Sequence, residues 1–247
     1  MAHTVIRLKE VASTNSYIRQ YSEDGLVVVA EHQTAGRGRR GRTFQSVEGK
    51  GLYLSVLLNK PGLTIEQVFS LTPIAAQAVA DAVEGISGVR PGIKWINDLI
   101  LNEGKLCGIL TELVLTERGK VSSVILGIGI NLNQCREDFD AELRDKAISL
   151  AMATGRNWDR EQMLEALLDA LDRRLEEWLA GRLDLEGYRK DCITLGRDVV
   201  VLRGKERREA RAEAVDDSFG LVVCYPDGRR EVLSSGEVSV RGKNGYI

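Results

Sequence analysis

Aromatic side chains make up only 5% of this 247-residue chain, cysteine and proline occur 4 times each, and histidine 2 times. Opposite charges nearly cancel, leaving a formal net charge of −2. Each scarcity excludes something. Cys107, Cys135, Cys192 and Cys224 are scattered, form no C-x-x-C pair and have only His3 and His32 for company. That pattern argues against a zinc centre and against a disulfide framework. A near-neutral chain is not, as a whole, a polyelectrolyte binder of nucleic acid. No apolar run is long enough to span a membrane, and no signal-peptide pattern opens the chain. A reducing, cytoplasmic setting is expected. There is no G-x-x-x-x-G-K-[ST] run, which excludes a P-loop mechanism. Repeats and low-complexity tracts are also missing.

Against this background, four arginines and three glycines crowd into Gly36-Arg37-Gly38-Arg39-Arg40-Gly41-Arg42. The run lies between two apolar segments that read as strands, Leu26–Ala30 and Leu52–Leu58. Glycine lets backbone and ligand approach closely, and arginine offers a planar fork of donors that matches carboxylate and phosphate oxygens. Gly36, Gly38 and Gly41 also spell G-x-G-x-x-G. The dinucleotide fingerprint needs a helix directly after its glycines. Here Thr43-Phe44-Gln45-Ser46 and another strand follow, so a Rossmann unit is rejected. Nucleic-acid arms are usually terminal and disordered, whereas this run is short, internal and set between strands. It reads as a loop that encloses a small polyanion and that is mobile until a ligand orders it.

The periodicity gives an α+β chain, long enough for one large domain and a small one. Thr4–Leu8 alternates as a first strand, and a short helical stretch follows Ser13-Thr14-Asn15 up to Tyr21. By themselves Ser13 and Thr14 read as helix N-caps. Ile74, Ala78, Ala82 and Ile86 form the stripe of a helix packed on a sheet, with Pro73 at a kink or in the first turn and Gly85 and Gly88 ending it. Ile93–Leu101 reads as one strand, Asn102-Glu103-Gly104-Lys105 as a tight turn, and Leu106–Leu115 and Val121–Leu132 as further strands. Asp159 to Ala180 is the clearest helix, with a capping-box pattern of Asp159 and Gln162. It is a core-packing element without chemistry of its own. After about Leu195 come five short segments: Asp198–Leu202, Arg207–Val215, Leu221–Tyr225, Arg229–Leu233 and Glu237–Val240. They read as a small β-barrel or sandwich.

Three further segments stand beside the arginine loop: Lys94-Trp95-Ile96-Asn97-Asp98, Gly104-Lys105-Leu106-Cys107-Gly108 and Gly127-Ile128-Gly129-Ile130-Asn131-Leu132-Asn133. Taken singly, the first is an ordinary strand edge, the second a solvent-facing turn lysine and the third a bulge. Taken together and in this order, they resemble the biotin–protein ligase family, the biotin–acetyl-CoA-carboxylase ligases. The matching residues are Ser13-Thr14-Asn15, the run from Gln33 to Arg42, Lys94 to Asp98, Gly104-Lys105, Gly108-Ile109-Leu110 and Gly129 to Leu132.

The resemblance implies a class II synthetase-like catalytic domain over residues 1–193, with a mixed central β-sheet flanked by helices. It implies a small SH3-like β-barrel over residues 194–247. The implied reaction joins biotin to ATP as biotinyl-5′-AMP and then moves biotin to a lysine of a biotin carboxyl carrier protein. Ser13, Thr14, Asn15, Gln33, Gly36, Arg37, Lys105 and Gly108 would bind biotin. Arg39, Arg40, Arg42, Phe44, Lys94, Asn97, Asp98 and Asn131 would surround ATP. Lys105, Arg37, Arg39 and Asp98 would be catalytic, with Asp98 taking or orienting the acceptor lysine's proton. No protein-held metal is expected, since Mg2+ would arrive on ATP. Many members carry proline at the position of Ile96 and tryptophan at that of Phe44, so Phe44 keeps an aromatic face but lacks an indole N–H.

Some members of that family carry an N-terminal helix-turn-helix. This chain opens on its first expected strand, so no operator binding is expected. A homodimer is the favoured assembly. The nearest other enzyme is a lipoate–protein ligase, whose dithiolane substrate would need only apolar walls. A non-enzymatic nucleic-acid-binding module is the reading from another class.

Overall fold

The computed structural model describes residues 3–60, 62–234 and 239–242. The first part of the chain runs through β1 (Val5–Val11), α1 (Thr14–Ile18), β2 (Val27–Gln33), β3 (Gly51–Leu58), α2 (Ile65–Ser87), β4 (Gly92–Lys94), β5 (Asp98–Leu101), β6 (Gly104–Leu115) and β7 (Val121–Asn131). Three helices follow, α3 (Leu150–Thr154), α4 (Arg160–Leu179) and α5 (Leu185–Asp191). The tail supplies β8 (Asp198–Arg203), β9 (Glu206–Val215), β10 (Leu221–Cys224), β11 (Arg230–Leu233) and β12 (Ser239–Gly242).

The first seven strands form one sheet in the order β1-β2-β3-β7-β6-β5-β4. It is mixed: β1 and β2 run parallel and the other neighbours antiparallel. Alternation along the strands sets the layers. Leu52, Leu54, Val56 and Leu58 of β3 and Val124, Leu126, Ile128 and Ile130 of β7 share a core with Leu71, Ile74, Ala78 and Val79 of α2 and Leu164, Leu167 and Leu171 of α4. The alternate residues face the other way. There α1 lies on the sheet, with Ile18 buried among Val28, Leu57 and Ile125. The expected α+β architecture, a mixed sheet flanked by helices, is therefore present.

Local chemistry fixes the long helices. Thr64 and Gln67 cap α2 reciprocally, at 2.9 and 3.2 Å, and Gly88 ends it at φ 75°. Gly85 stays inside the helix, and Pro73 lies beyond the first turn rather than in it. The side chain of Asp159 accepts from the backbone N–H of Glu161 and Gln162 at the start of α4. An ion-pair network ties the helices together. Arg174 of α4 donates to Asp81 of α2 at 2.8 Å and to Asp184 before α5 at 2.9 Å, while Arg90 reaches Asp81, Glu84 and Asp191.

The expected single strand Ile93–Leu101 is corrected. It divides into β4 and β5, which fold back antiparallel with Lys94 opposite Asp98. The turn at Trp95-Ile96-Asn97 contains a cis peptide between Trp95 and Ile96. Burial of Trp95 explains the division. Its indole N–H donates to Phe219 O at 2.8 Å, and its backbone N–H donates to Thr194 Oγ1 at 2.9 Å. A continuous apolar run in sequence cannot distinguish this from a straight strand.

The tail forms a second, all-antiparallel sheet in the order β11-β10-β9-β8-β12. Val199, Val201, Ala212, Val215 and Leu221 share the main core with Trp95 and Tyr188. Among the described residues β11 and β12 do not pair, so closure into the expected barrel is not seen. Glu237 and Val238 of the expected last strand lie outside the described residues.

Asp184 gives the fold a testable pH dependence. The Arg174 guanidinium, opposed in part by burial, holds its carboxyl below the ordinary 3.8. The folded chain thus binds fewer protons there than the unfolded chain. The stabilisation is present above the ordinary value and is lost as pH falls through the depressed one. Urea melts of Asp184→Asn are expected to show lower stability than wild type at pH 7 and a smaller loss between pH 7 and about pH 3.

Candidate active site

β7 and β6 build the floor of the site. Gly108 of β6 stands opposite Gly129 of β7, and Gly127 follows on the same face. A Cβ on Gly127 would lie 2.2 Å from Asn15 Oδ1, and one on Gly129 would lie 2.7 Å from the Phe44 ring. A Cβ on Gly108 would meet Lys105 at 3.1 Å and Phe44 at 3.3 Å. Bare backbone is what admits these side chains. Above the floor is a cleft of about 770 Å³, the size of a small-molecule site.

One end of the cleft gathers neutral hydrogen-bonding side chains. Gln33 Oε1 accepts from Thr14 N at 2.9 Å and from Thr14 Oγ1 at 3.1 Å. The buried Ser55 hydroxyl lies 2.7 Å from Thr14 Oγ1 and 2.6 Å from Asn15 Oδ1. Ser13 occupies the N-cap position of α1, but its hydroxyl does not cap the helix as expected and instead lines the cleft. Thr14 is the first helical residue, and its hydroxyl is engaged across the sheet.

The other end concentrates cations. The loop folds back on itself through an Arg37–Thr43 bridge and a single 3-10 turn at Arg39–Gly41. Arg40 and Gly41 take φ of 59° and 72°, the left-handed region that glycine favours and arginine tolerates at a cost. Arg39 donates to Asn97 Oδ1 at 3.1 Å. Burial lowers the pKa of its guanidinium, Asp98 raises it, and Arg40 and Arg42 lower it further. The Lys105 ammonium donates to Asp98 Oδ1 at 2.7 Å, and Asn97 Nδ2 donates to the same oxygen at 2.9 Å. The β4–β5 turn and the β5–β6 hairpin therefore hold Arg39, Asn97, Asp98 and Lys105 in one connected chain. Positive φ at Asn102 and Glu103 makes that hairpin tight enough.

Of the residues singled out in sequence, Ser13, Thr14, Asn15, Gln33, Arg37, Arg39, Arg40, Arg42, Phe44, Lys94, Asn97, Asp98, Lys105, Gly108 and Asn131 all line the cleft. Gly36 stands behind it. Its carbonyl accepts from Phe44 N at 2.9 Å, and a Cβ there would strike Phe44 O at 2.4 Å. Asn131 is anchored from behind: Nδ2 donates to Lys105 O at 3.1 Å, and Oδ1 accepts from Gln134 Nε2 at 3.3 Å.

Sequence reasoning missed several lining residues. Phe139, Leu143, Lys146 and Ala147 come from the irregular segment after β7, and Val240 comes from β12 of the tail. That segment carries no motif. Its place was legible only from the bridge between Lys105 and Ala147. Behind the lining, Ser55 and Glu112 were also missed; Ser55 is the one polar residue in an apolar strand, and Glu112 follows Thr111 without any motif.

Residues 6–131 match the model of the biotin/lipoate A/B protein ligase family. The chain belongs to this family. It is 34% identical to the biotin–[acetyl-CoA-carboxylase] ligase of Mycobacterium tuberculosis, over 87% of this chain and 79% of that protein. It is 42% identical to the bifunctional ligase/repressor BirA of Bacillus spizizenii over 86% of this chain, and it spans 65% of that relative's length. The Aquifex aeolicus biotin protein ligase, solved in complex with biotin and ATP, superposes with a TM-score of 0.84 at 31% identity, covering 97% of this chain and 99% of the other.

In this family member Phe44 closes the arginine loop. Its ring packs edge-on to Tyr53, with centroids 6.3 Å apart, over the glycine floor. Gly129→Val would displace that ring. Trypsin is expected to cut between Arg37 and Arg42 several-fold faster in this variant than in wild type, at temperatures well below the melting transition. Phe44→Ala should act in the same direction.

Proposed function

We propose that the protein is an ATP-dependent biotin–protein ligase that makes biotinyl-5′-AMP and transfers biotin to a lysine of a biotin carboxyl carrier protein. The observation that carries this reading is one cleft with two unlike ends. Neutral donors and acceptors gather at Thr14, Gln33 and Ser55, and cations gather at Arg39 and Lys105. A ureido ring is a neutral donor–acceptor unit, whereas a carboxylate approaching a triphosphate needs fixed positive charge.

In the first step a carboxylate oxygen of biotin bonds to the α-phosphorus of ATP, the α–β P–O bond breaks, and pyrophosphate leaves. Arg37 and Lys105 hold the carboxylate, and Arg39, Arg40 and Arg42 take the phosphates. Phe44 offers an aromatic face to adenine. Lys105 exchanges its bond with Asp98 for the reacting oxygens. In the second step the acceptor lysine's nitrogen attacks the activated carbonyl, the bond to the AMP oxygen breaks, and Asp98 takes the ammonium proton. Mg2+ would come as part of the ATP substrate and would offset phosphate charge.

We read residues 1–193 as the catalytic unit and 194–247 as an SH3-like barrel whose described part is the second sheet. The setting we propose is the cytoplasm, with the protein as a homodimer. Among the described residues no helix is long and apolar enough to cross a membrane.

Pyrophosphate exchange with ATP is expected to depend on biotin and not on lipoate. Exchange driven by lipoate alone would overturn the reading. Lys105→Ala should slow adenylate formation by ~10²–10³. Asp98→Asn should slow transfer from pre-made biotinyl-5′-AMP to the carrier domain. If only adenylate formation suffers, the role of Asp98 in transfer is wrong. Biotin with ATP should protect Arg39–Arg42 from trypsin, and unchanged cleavage would show that the loop does not close on the ligands.

A further inference from the structure

We propose that Gln45 is a positioning residue for the nucleotide end of the cleft. Its amide fastens the arginine loop to the irregular segment after β7, so that Phe44 and Phe139 are set as one unit. The inference rests on the ATP reading above.

The two sides of this end come from distant stretches of chain. Phe44 closes the arginine loop over the glycine floor, and Phe139, buried in the segment after β7, lines the same cleft. Gln45 follows Phe44 directly and lines the cleft too. Its Nε2 donates to Asp138 O at 3.1 Å, and its Oε1 accepts from Asp140 N at 3.1 Å. Both partners are backbone groups, and they flank Phe139.

Backbone geometry explains the fit. Phe139 is extended, at φ −87° and ψ 140°. In an extended chain the carbonyl before a residue and the N–H after it point to one edge, and the residue's own N–H and C=O point to the other. Gln45 takes the first edge. On the second, Phe139 N donates to Arg136 O at 3.3 Å, and Phe139 O accepts from Arg144 Nε at 3.0 Å. With both edges held, the direction of the phenyl ring is fixed as well. A primary amide carries a donor and an acceptor side by side, so glutamine meets both backbone groups at once. Leucine would meet neither, and asparagine is one methylene shorter.

Neighbouring bonds have a different task. Ser46 Oγ accepts from Gln33 N at 2.9 Å, and the Tyr53 hydroxyl accepts from Val47 N at 2.8 Å. Lys50, at the foot of β3, donates to both carboxylate oxygens of Asp138 at 2.6 Å. These bonds tie the loop and the segment each to the sheet. The Gln45 amide ties them to each other, at the level of the two rings. A nucleotide that meets the arginines then finds the opposite wall already in place, which lowers the ordering cost of binding.

The first test uses no ligand. Trypsin cleavage after Arg144 reports on the segment, and Phe44→Ala perturbs the loop. In the wild-type background Phe44→Ala should speed that cleavage several-fold. In the Gln45→Leu background cleavage should be faster from the start, and Phe44→Ala should add nothing. The second test is biotin-dependent pyrophosphate exchange. Gln45→Leu should raise the KM for ATP roughly tenfold, the scale of one or two hydrogen bonds, and leave the KM for biotin within about twofold. Gln45→Asn, which keeps the amide but is too short to span both backbone groups, should behave alike. Persistence of the coupling between Phe44 and Arg144 in Gln45→Leu would overturn the proposal, and so would KM values for ATP and biotin that rise together or not at all. Absence of biotin-dependent exchange in the wild type would instead overturn the functional reading, and the trypsin cycle would still decide whether Gln45 joins the two walls.

Discussion

Gly108 and Gly129 face each other across the β6–β7 ladder, and Gly127 stands two residues along, so three neighbouring positions on one face of the central sheet carry no Cβ. The opposite face of the same strands is packed with Leu126, Ile128 and Ile130 against α2 and α4. Such a sheet cannot relax by shifting register, because a one-residue slip would send the aliphatic set into the cleft and the glycines into the core. The floor is therefore held flat by packing that lies entirely behind it. Asn15 and Phe44 occupy the space the missing side chains leave, and each anchors one end of the cleft.

On this floor the charges are arranged to await anions. Arg37, Arg39, Arg40, Arg42 and Lys105 line one cleft, and like charges at about 4 Å repel by ~4 kcal/mol near a protein surface. Two carboxylates moderate this without ligand: Asp98 on Lys105 and Glu112 near Arg37. Arg39 lies in the same network: it donates to Asn97, burial lowers its pKa, and the Asp98 carboxylate raises it. Phosphate oxygens entering beside Arg39 would replace lost hydration with charge-assisted hydrogen bonds. On the proposed reading, an anion taken up by Lys105 would loosen its 2.7 Å bond to Asp98 and leave that carboxylate able to accept a proton.

Much of this was legible in the chain because the relevant signals are local. The glycine spacing in Gly127-Ile128-Gly129 reads directly as one face of a strand, and the GRGRRGR run marks a concentration of positive charge that the fold sets on the cleft. Alternation and capping placed most of the central strands and both long helices. What sequence could not show depends on distant partners. Trp95 breaks the stretch Ile93–Leu101 because Phe219, 124 residues away, accepts its indole N–H. Ser13 and Thr14 look like caps because serine and threonine usually are, yet Gln33 and Ser55 draw the Thr14 hydroxyl across the sheet. Glu112 and Ser55 gave no signal, since a lone serine or a Thr-Glu pair within a strand looks like ordinary edge polarity. The segment carrying Lys146 has neither period nor motif, and only its pairing with Lys105 brings it to the site.

Trp95 also shows why the tail belongs to the same functional unit. Within five residues the chain sends Lys94 into the sheet, Trp95 into the junction with the tail, and Asn97 and Asp98 back to the cleft. The indole is the pivot of that reversal. Its N–H is held by the carbonyl of Phe219, and the Phe219 ring packs edge-on to Tyr188 of α5 at 5.0 Å. The hydroxyl of Thr194, at the start of the tail, holds the Trp95 backbone N–H. Phe219 sits in the turn between β9 and β10 and Thr194 in the connection from α5 to β8, so the tail meets the Trp95 turn through aromatic packing and two buried hydrogen bonds. Val240 brings β12 to the cleft wall from the same sheet. The tail thus both braces the turn that aims Asp98 at Lys105 and supplies part of the wall that faces them.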